Sequence, residues 1–144
     1  MDIQMLEKKL TGISRMLGAV LRQSGYQDTD DLLLVKYDTD SPDDILLYEA
    51  YMGIFSHLKE AYSVLNYLQK PVIHEGIVEY SWNGYVLDGI ELADEDMFEV
   101  LERDEYTGRW KWVLASICEY FETDYEGMRA RVRGERWIDG RHDI

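Results

Sequence analysis

The hydrophobic period of the chain changes at Pro71, and this change limits the folds open to it. Before Pro71, apolar residues recur every three or four positions, which is the period of a helix with one buried face. From residue 72 they alternate with polar residues, which is the period of a half-buried strand. The sequence therefore predicts an α+β chain, with an antiparallel helical hairpin in residues 1–70 and a small acidic β module in residues 71–144 packed on it.

Two helices are expected in the first half of the chain. Residues 3–24 form the first, and Gly25 is a suitable C-terminal stop. Ser41 fits the N-cap of the second helix, and Pro42 fits its first position. The apolar row of the first helix advances by steps of three and four through Ile3, Leu6, Leu10, Ile13, Leu17 and Val20.

The second helix carries two apolar rows. The first row advances by steps of four and three through Leu47, Tyr51, Ile54, Leu58, Ala61, Leu65 and Leu68. The second row, at seven-residue spacing, is Tyr48, Phe55 and Tyr62. We expect the first row to pack on the first helix. The second row then remains for docking on the following domain, with a dimer seam as the alternative.

Strand candidates follow at residues 73–81, 85–92, 97–102, 109–121 and 128–133. Asn83 followed by Gly84 is a typical tight-turn signal between the first two strands. In the last strand, Met128, Ala130 and Val132 are expected to face inward and the intervening arginines outward. Five short strands predict a small antiparallel barrel, SH3-like in size, or a curled sheet.

Four segments carry a resemblance to a known family. They are residues 65–72 (LNYLQKPV), 83–92 (NGYVLDGIEL), 98–101 (FEVL) and the tryptophan-containing strand at 110–117. Together they resemble a bacterial domain-of-unknown-function family found in phage-derived and other mobile-element gene sets. The resemblance implies a helical hairpin joined to a compact β module and a mobile-element setting, and it carries over no catalytic residues. The chain departs from the family pattern between residues 117 and 127, where an acidic, tyrosine-rich insertion lengthens a hairpin.

Negative charge is concentrated in one segment. Residues 71–126 contain 15 Asp or Glu and 3 Lys or Arg, a net of −12 out of −14 for the whole chain. Such a field repels phosphate backbones and anionic membranes and favours a basic protein partner. We therefore expect no direct binding of nucleic acid and no membrane association.

The expected partner-binding surface combines acids with aromatic rings. Carboxylates along strands and turns can imitate a row of phosphates in a Lys- and Arg-lined groove, and rings supply anchors. A solvated surface balanced by Arg129, Arg131 and Arg133 is the alternative. The predicted binding residues are Asp94, Glu95, Asp96, Glu99, Glu102, Asp104, Glu105, Trp110, Trp112, Glu119, Tyr120, Glu122, Asp124 and Glu126, and Tyr106 and Tyr125 interleave with them.

No motif indicates catalysis or a cofactor. Cys118 is the only cysteine, so a disulfide framework is excluded, and its spacing to His74 supports no nucleophile–base pair. The aspartates of residues 28–44 lack the glycine and glutamate positions of a calcium loop. The sequence therefore predicts a cytoplasmic protein that is not an enzyme and holds no metal or cofactor.

Two functions remain open from the sequence. The first is an acidic mobile-element inhibitor that blocks a basic nucleic-acid-binding host defence enzyme by nucleic-acid mimicry, of the anti-CRISPR or anti-restriction type. The alternative is a non-catalytic accessory or regulatory scaffold that homodimerises through its helical hairpin. In the first the acid makes the interface, whereas in the second it provides only solubility.

Overall fold

The computed structural model describes residues 1–26, 32–82, 84–92, 96–116, 124–135, 137–138 and 141–142. The chain forms two compact units, Met1–Gln69 and Lys70–Ile144. The first is helical and the second is a β-sheet, so the α+β class is confirmed.

Helix α1 spans Ile3–Ser24 and helix α2 spans Pro42–Leu68. Gly25 ends α1 in the left-handed conformation, at φ 67°, where a glycine carries no Cβ penalty. The Ser41 side chain accepts a hydrogen bond from the backbone N–H of Asp44 and caps α2. The predicted start and stop residues are therefore confirmed. Within the described residues, neither helix combines the length and apolarity needed to cross a membrane.

The contact between α1 and α2 uses the second row of α2. The ring of Tyr62 lies over Gly18, where a Cβ would stand 3.0 Å from Tyr62 Cε2. The ring of Phe55 lies 5.7 Å from that of Tyr26, centroid to centroid. The expectation that the second row stays free of the first helix was therefore wrong, whereas Leu65 and Leu68 of the first row line a groove with Leu6 and Leu10 of α1. Large rings fit over a helix surface made of small residues, and the aliphatic row lies at the edge of this contact, with Leu58 and Leu65 half-buried.

The second unit is a six-stranded antiparallel sheet in the order β3-β2-β1-β6-β4-β5. A separate two-stranded ladder, absent from the sequence prediction, joins β7 to β8. The strands are β1 Val72–Ser81, β2 Gly84–Leu87, β3 Ile90–Glu91, β4 Met97–Arg103, β5 Trp110–Ser116, β6 Arg129–Arg133, β7 Trp137–Ile138 and β8 Arg141–His142.

The sheet is open, so the closed SH3-like barrel is not observed. Its edge strands are β3 and β5, and these two do not pair within the described residues. The candidate strand at 85–92 is interrupted by a turn in which Asp88 and Gly89 both have positive φ. The β1–β2 hairpin is confirmed by the pairing of Ser81 with Gly84, whereas Asn83 lies outside the described residues.

One face of the sheet carries the core. Val78, Phe98 and Val100 are almost completely buried there. Ala130 is also buried, and Met128 and Val132 pack against the same cluster, so the predicted inward set of β6 is confirmed. The arginines that alternate with them therefore belong to the opposite face.

Candidate protein-binding surface

A buried ion pair occupies the second face of the sheet. Glu99 of β4 lies opposite Arg131 of β6 in register, and only 3% of Glu99 is exposed. Its Oε1 accepts a hydrogen bond from Arg131 Nη2 at 3.0 Å, and its Oε2 accepts one from Arg133 Nε at 3.1 Å. Arg129 pairs with Glu75 at 3.1 Å. The arginine strand thus neutralises part of the acidic segment, and Glu99 is withdrawn from the surface.

The turn between β4 and β5 is built around Asp104. Its Oδ1 accepts hydrogen bonds from the backbone N–H groups of Tyr106, at 2.8 Å, and Thr107, at 3.1 Å. These donors hold the pKa of the Asp104 carboxyl below its ordinary value. Gly108 closes the turn at φ 70°, and its carbonyl accepts from Arg103 Nε. Asp104 therefore shapes the turn, with Lys111 3.7 Å from its other oxygen.

This turn presents two aromatic rings. Tyr106 is 98% exposed and Trp110 is 64% exposed. The exposed acids Glu102 and Glu105 belong to the same hairpin end. We define the tip as these four residues: Glu102, Glu105, Tyr106 and Trp110. Because the turn is fixed by its own hydrogen bonds, the tip presents rings and carboxylates on a stiff support.

A second group of acids lies at the opposite end of β4. Asp96 precedes the strand, and Asp124 accepts hydrogen bonds from the Tyr85 hydroxyl at 3.2 Å and the Glu126 backbone N–H at 3.0 Å. Burial is the main cause that raises the pKa of Tyr85. A strand of this length separates the two ends by about 25 Å. Apart from the buried Glu99, the described acids of the predicted binding surface therefore form two separate groups.

Of the remaining predicted binding residues, one is half-buried and five lie outside the described residues. Trp112 is half-buried, with the guanidinium of Arg131 4.1 Å from its ring centroid. Asp94, Glu95, Glu119, Tyr120 and Glu122 lie outside the described residues. Tyr106 was not among the predicted binding residues, although its position beside Glu105 in a turn is typical of an exposed ring.

The titratable groups suited to catalysis or metal binding include one histidine–carboxylate pair in the described ranges. His74 Nδ1 lies 3.2 Å from Asp88 Oδ2, and Cys118 is in an undescribed segment. Across those same ranges, no three His, Cys, Asp or Glu side chains cluster closely enough to hold a metal ion.

No family model, curated protein or solved structure matches the chain. The resemblance to the mobile-element family therefore stays a hypothesis.

Proposed function

We propose that the protein is a non-catalytic binding protein whose β4–β5 tip recognises a basic surface on another protein. The observation that carries the proposal is the exposure of Tyr106 and Trp110 beside Glu102 and Glu105. Exposed rings are the side chains that most often dominate interface energies. The net charge of −14 on the whole chain speeds association with a Lys- or Arg-rich partner, whereas Arg103, Arg109 and Lys111 balance the acids of the tip itself.

A basic groove that normally holds nucleic acid is the partner surface that best fits this chemistry. Such grooves combine Lys and Arg with aromatic platforms for bases. The protein would occupy the groove sterically and electrostatically, as an inhibitor of a host nuclease of the CRISPR or restriction type. The proposed inhibition therefore depends on contacts made by the tip, because a continuous row of phosphate-like carboxylates is not observed along the described part of β4.

The test measures binding and inhibition with a panel of purified nucleases that have basic grooves. We expect binding at about 0.05 M salt that weakens strongly at about 0.5 M, because the attraction is screened. Trp110→Ala or Tyr106→Ala should weaken binding by about 30-fold or more, as expected for an interface anchor. Glu102→Gln with Glu105→Gln should mainly slow association.

Matched controls come from the β1–β2 hairpin and its neighbour. Trp82 is 92% exposed, and Glu91 is an exposed acid on β3, so Trp82→Ala and Glu91→Gln change the same chemistry away from the tip. These variants should bind like the unchanged protein. If no nuclease of the panel binds at low salt, or if tip and control variants lose binding equally, the proposal is wrong.

The scaffold alternative has its own supporting observation, which is the exposed aliphatic row on the helical hairpin. This surface belongs to the first unit, so both functions can coexist in one chain.

A further inference from the structure

We propose that two copies of this chain associate through one apolar face of the helical hairpin, forming a four-helix bundle. We define the hairpin face as the α1 row Ile3, Leu6, Leu10, Ile13, Leu17 and Val20, together with the α2 row Leu47, Tyr51, Ile54, Leu58, Ala61, Leu65 and Leu68. This inference is independent of the tip and of any basic partner.

The two rows lie on the same side of the hairpin. Leu6 and Leu10 of α1 line one groove of about 210 Å³ together with Leu65 and Leu68 of α2. Near the start of α2, Leu47 and Tyr51 line a second groove together with Val35 and Tyr37 of the connecting segment. The exposed members of the two rows therefore extend from one groove toward the other.

Much of this surface is in contact with solvent. About half of the area of Ile13, Leu47, Tyr51 and Ile54 is exposed, and Ile3 is exposed to a greater extent. Contiguous apolar patches of this kind are uncommon on monomeric proteins and usually mark an interaction site.

The spacing of the rows indicates a helix–helix seam. Alternating steps of three and four residues place apolar side chains at the a and d positions of a heptad repeat. Within one copy, α1 and α2 meet elsewhere, through the ring of Tyr62 on Gly18 and that of Phe55 on Tyr26. Most members of the two rows are therefore left exposed by the contact inside the hairpin and remain for helices of another molecule.

Apolar complementarity fits a second copy as the occupant, and it must exceed the repulsion between two chains that each carry a net charge of −14. A charged partner would leave its charges without counterparts on this face, whereas an identical face matches it in chemistry. A two-fold axis then places the same residues on both sides of the interface.

The available area is sufficient for a stable dimer. The 22 residues of α1 span about 33 Å, and two adjacent helices are about 20 Å wide. The face therefore buries roughly 600 Å² per copy, or about 1,200 Å² in total, which is the lower bound for stable protein interfaces.

The test is sedimentation equilibrium of the full chain at concentrations between about 1 and about 100 μM. Interfaces of this size can have dissociation constants in or below this range. We expect a dimer that persists or strengthens at about 0.5 M salt, because salt screens the repulsion between two acidic copies. Ile13→Glu and Ile54→Glu should each lower the association constant at least about 100-fold, because each charge enters the interface twice.

Two controls separate the interface from general effects. Met5 and Leu46 are exposed apolar residues of the same helices, and neither is three or four positions from a row member, so Met5→Glu and Leu46→Glu should leave the dimer intact. Helical circular dichroism should be unchanged in all four variants.

A chain that is monomeric over the whole range at both salt concentrations overturns the proposal. A monomer whose melting temperature is lowered by Ile54→Glu also overturns it, because the hairpin face is then covered by the same chain. Equal loss of dimer in face and control variants also overturns it.

Discussion

The buried carboxylate of Glu99 accepts a hydrogen bond from the guanidinium of Arg131, 3.0 Å away and 32 positions later in the chain. Arg133 donates a hydrogen bond to the same carboxylate, so one glutamate on β4 pairs with two arginines on β6. This pairing joins strands that are distant in sequence, and it removes a predicted binding residue from the surface.

Replacing this acid should destabilise the sheet. Glu99→Ala leaves Arg131 and Arg133 half-buried without their counter-charge, and we expect a loss of about 3 kcal/mol in the free energy of unfolding. All four tryptophans lie between residues 71 and 144, so tryptophan fluorescence in urea reports on this unit.

The matched control for this prediction is Glu75→Ala. Glu75 pairs with Arg129 at an exposed site, so its removal should cost less than about 1 kcal/mol. Equal losses in the two variants would show that burial gives Glu99 no special role.

Two glycines of α1 should respond differently to alanine. A Cβ at Gly12 meets no atom within 4 Å, so Gly12→Ala should stabilise the helix by up to about 1 kcal/mol. A Cβ at Gly18 meets the Tyr62 ring at 3.0 Å, so overpacking should make Gly18→Ala less stable than Gly12→Ala by about 1–3 kcal/mol. Thermal unfolding followed by helical circular dichroism measures both variants. A Gly18→Ala protein as stable as Gly12→Ala would contradict the observed ring contact.

The turn at Asp104 should show an acid-dependent contribution to stability. Backbone donors lower the pKa of this carboxyl in the folded state, so it stabilises the turn fully above its unfolded pKa near 3.8. That contribution is lost as the pH falls through the lower folded value. Carboxyl carbon NMR should locate the Asp104 titration below 3.8. In Asp104→Asn, the amide signals of Tyr106 and Thr107 should be shifted at neutral pH. A titration at or above 3.8 would contradict the hydrogen bonds described.

Salt should act on the two proposed interfaces in opposite directions. Binding of a basic partner at the tip weakens as salt rises, whereas the hairpin dimer persists or strengthens. Measuring both in one salt series separates them, with Trp110→Ala affecting only partner binding and Ile54→Glu only self-association. If either variant lost both partner binding and self-association, the two surfaces would not be independent.

The secondary structure of the hairpin could be predicted from local sequence. Ser41, Pro42 and Gly25 act within a few residues of the helix ends they define, so their effect needs no distant contact. The alternation of Ala130 and Val132 likewise identified the buried side of β6, because a strand has only two faces.

The partner of each face was decided only by the tertiary structure. Periodicity alone allows either apolar row of α2 to meet α1, and only the tertiary structure shows that the Tyr62 ring of the second row lies over Gly18. Glu99 resembles its acidic neighbours in sequence, yet pairing with Arg131 buries it. Periodicity determines which residues share a face, whereas shape and charge complementarity between distant segments determine what that face contacts.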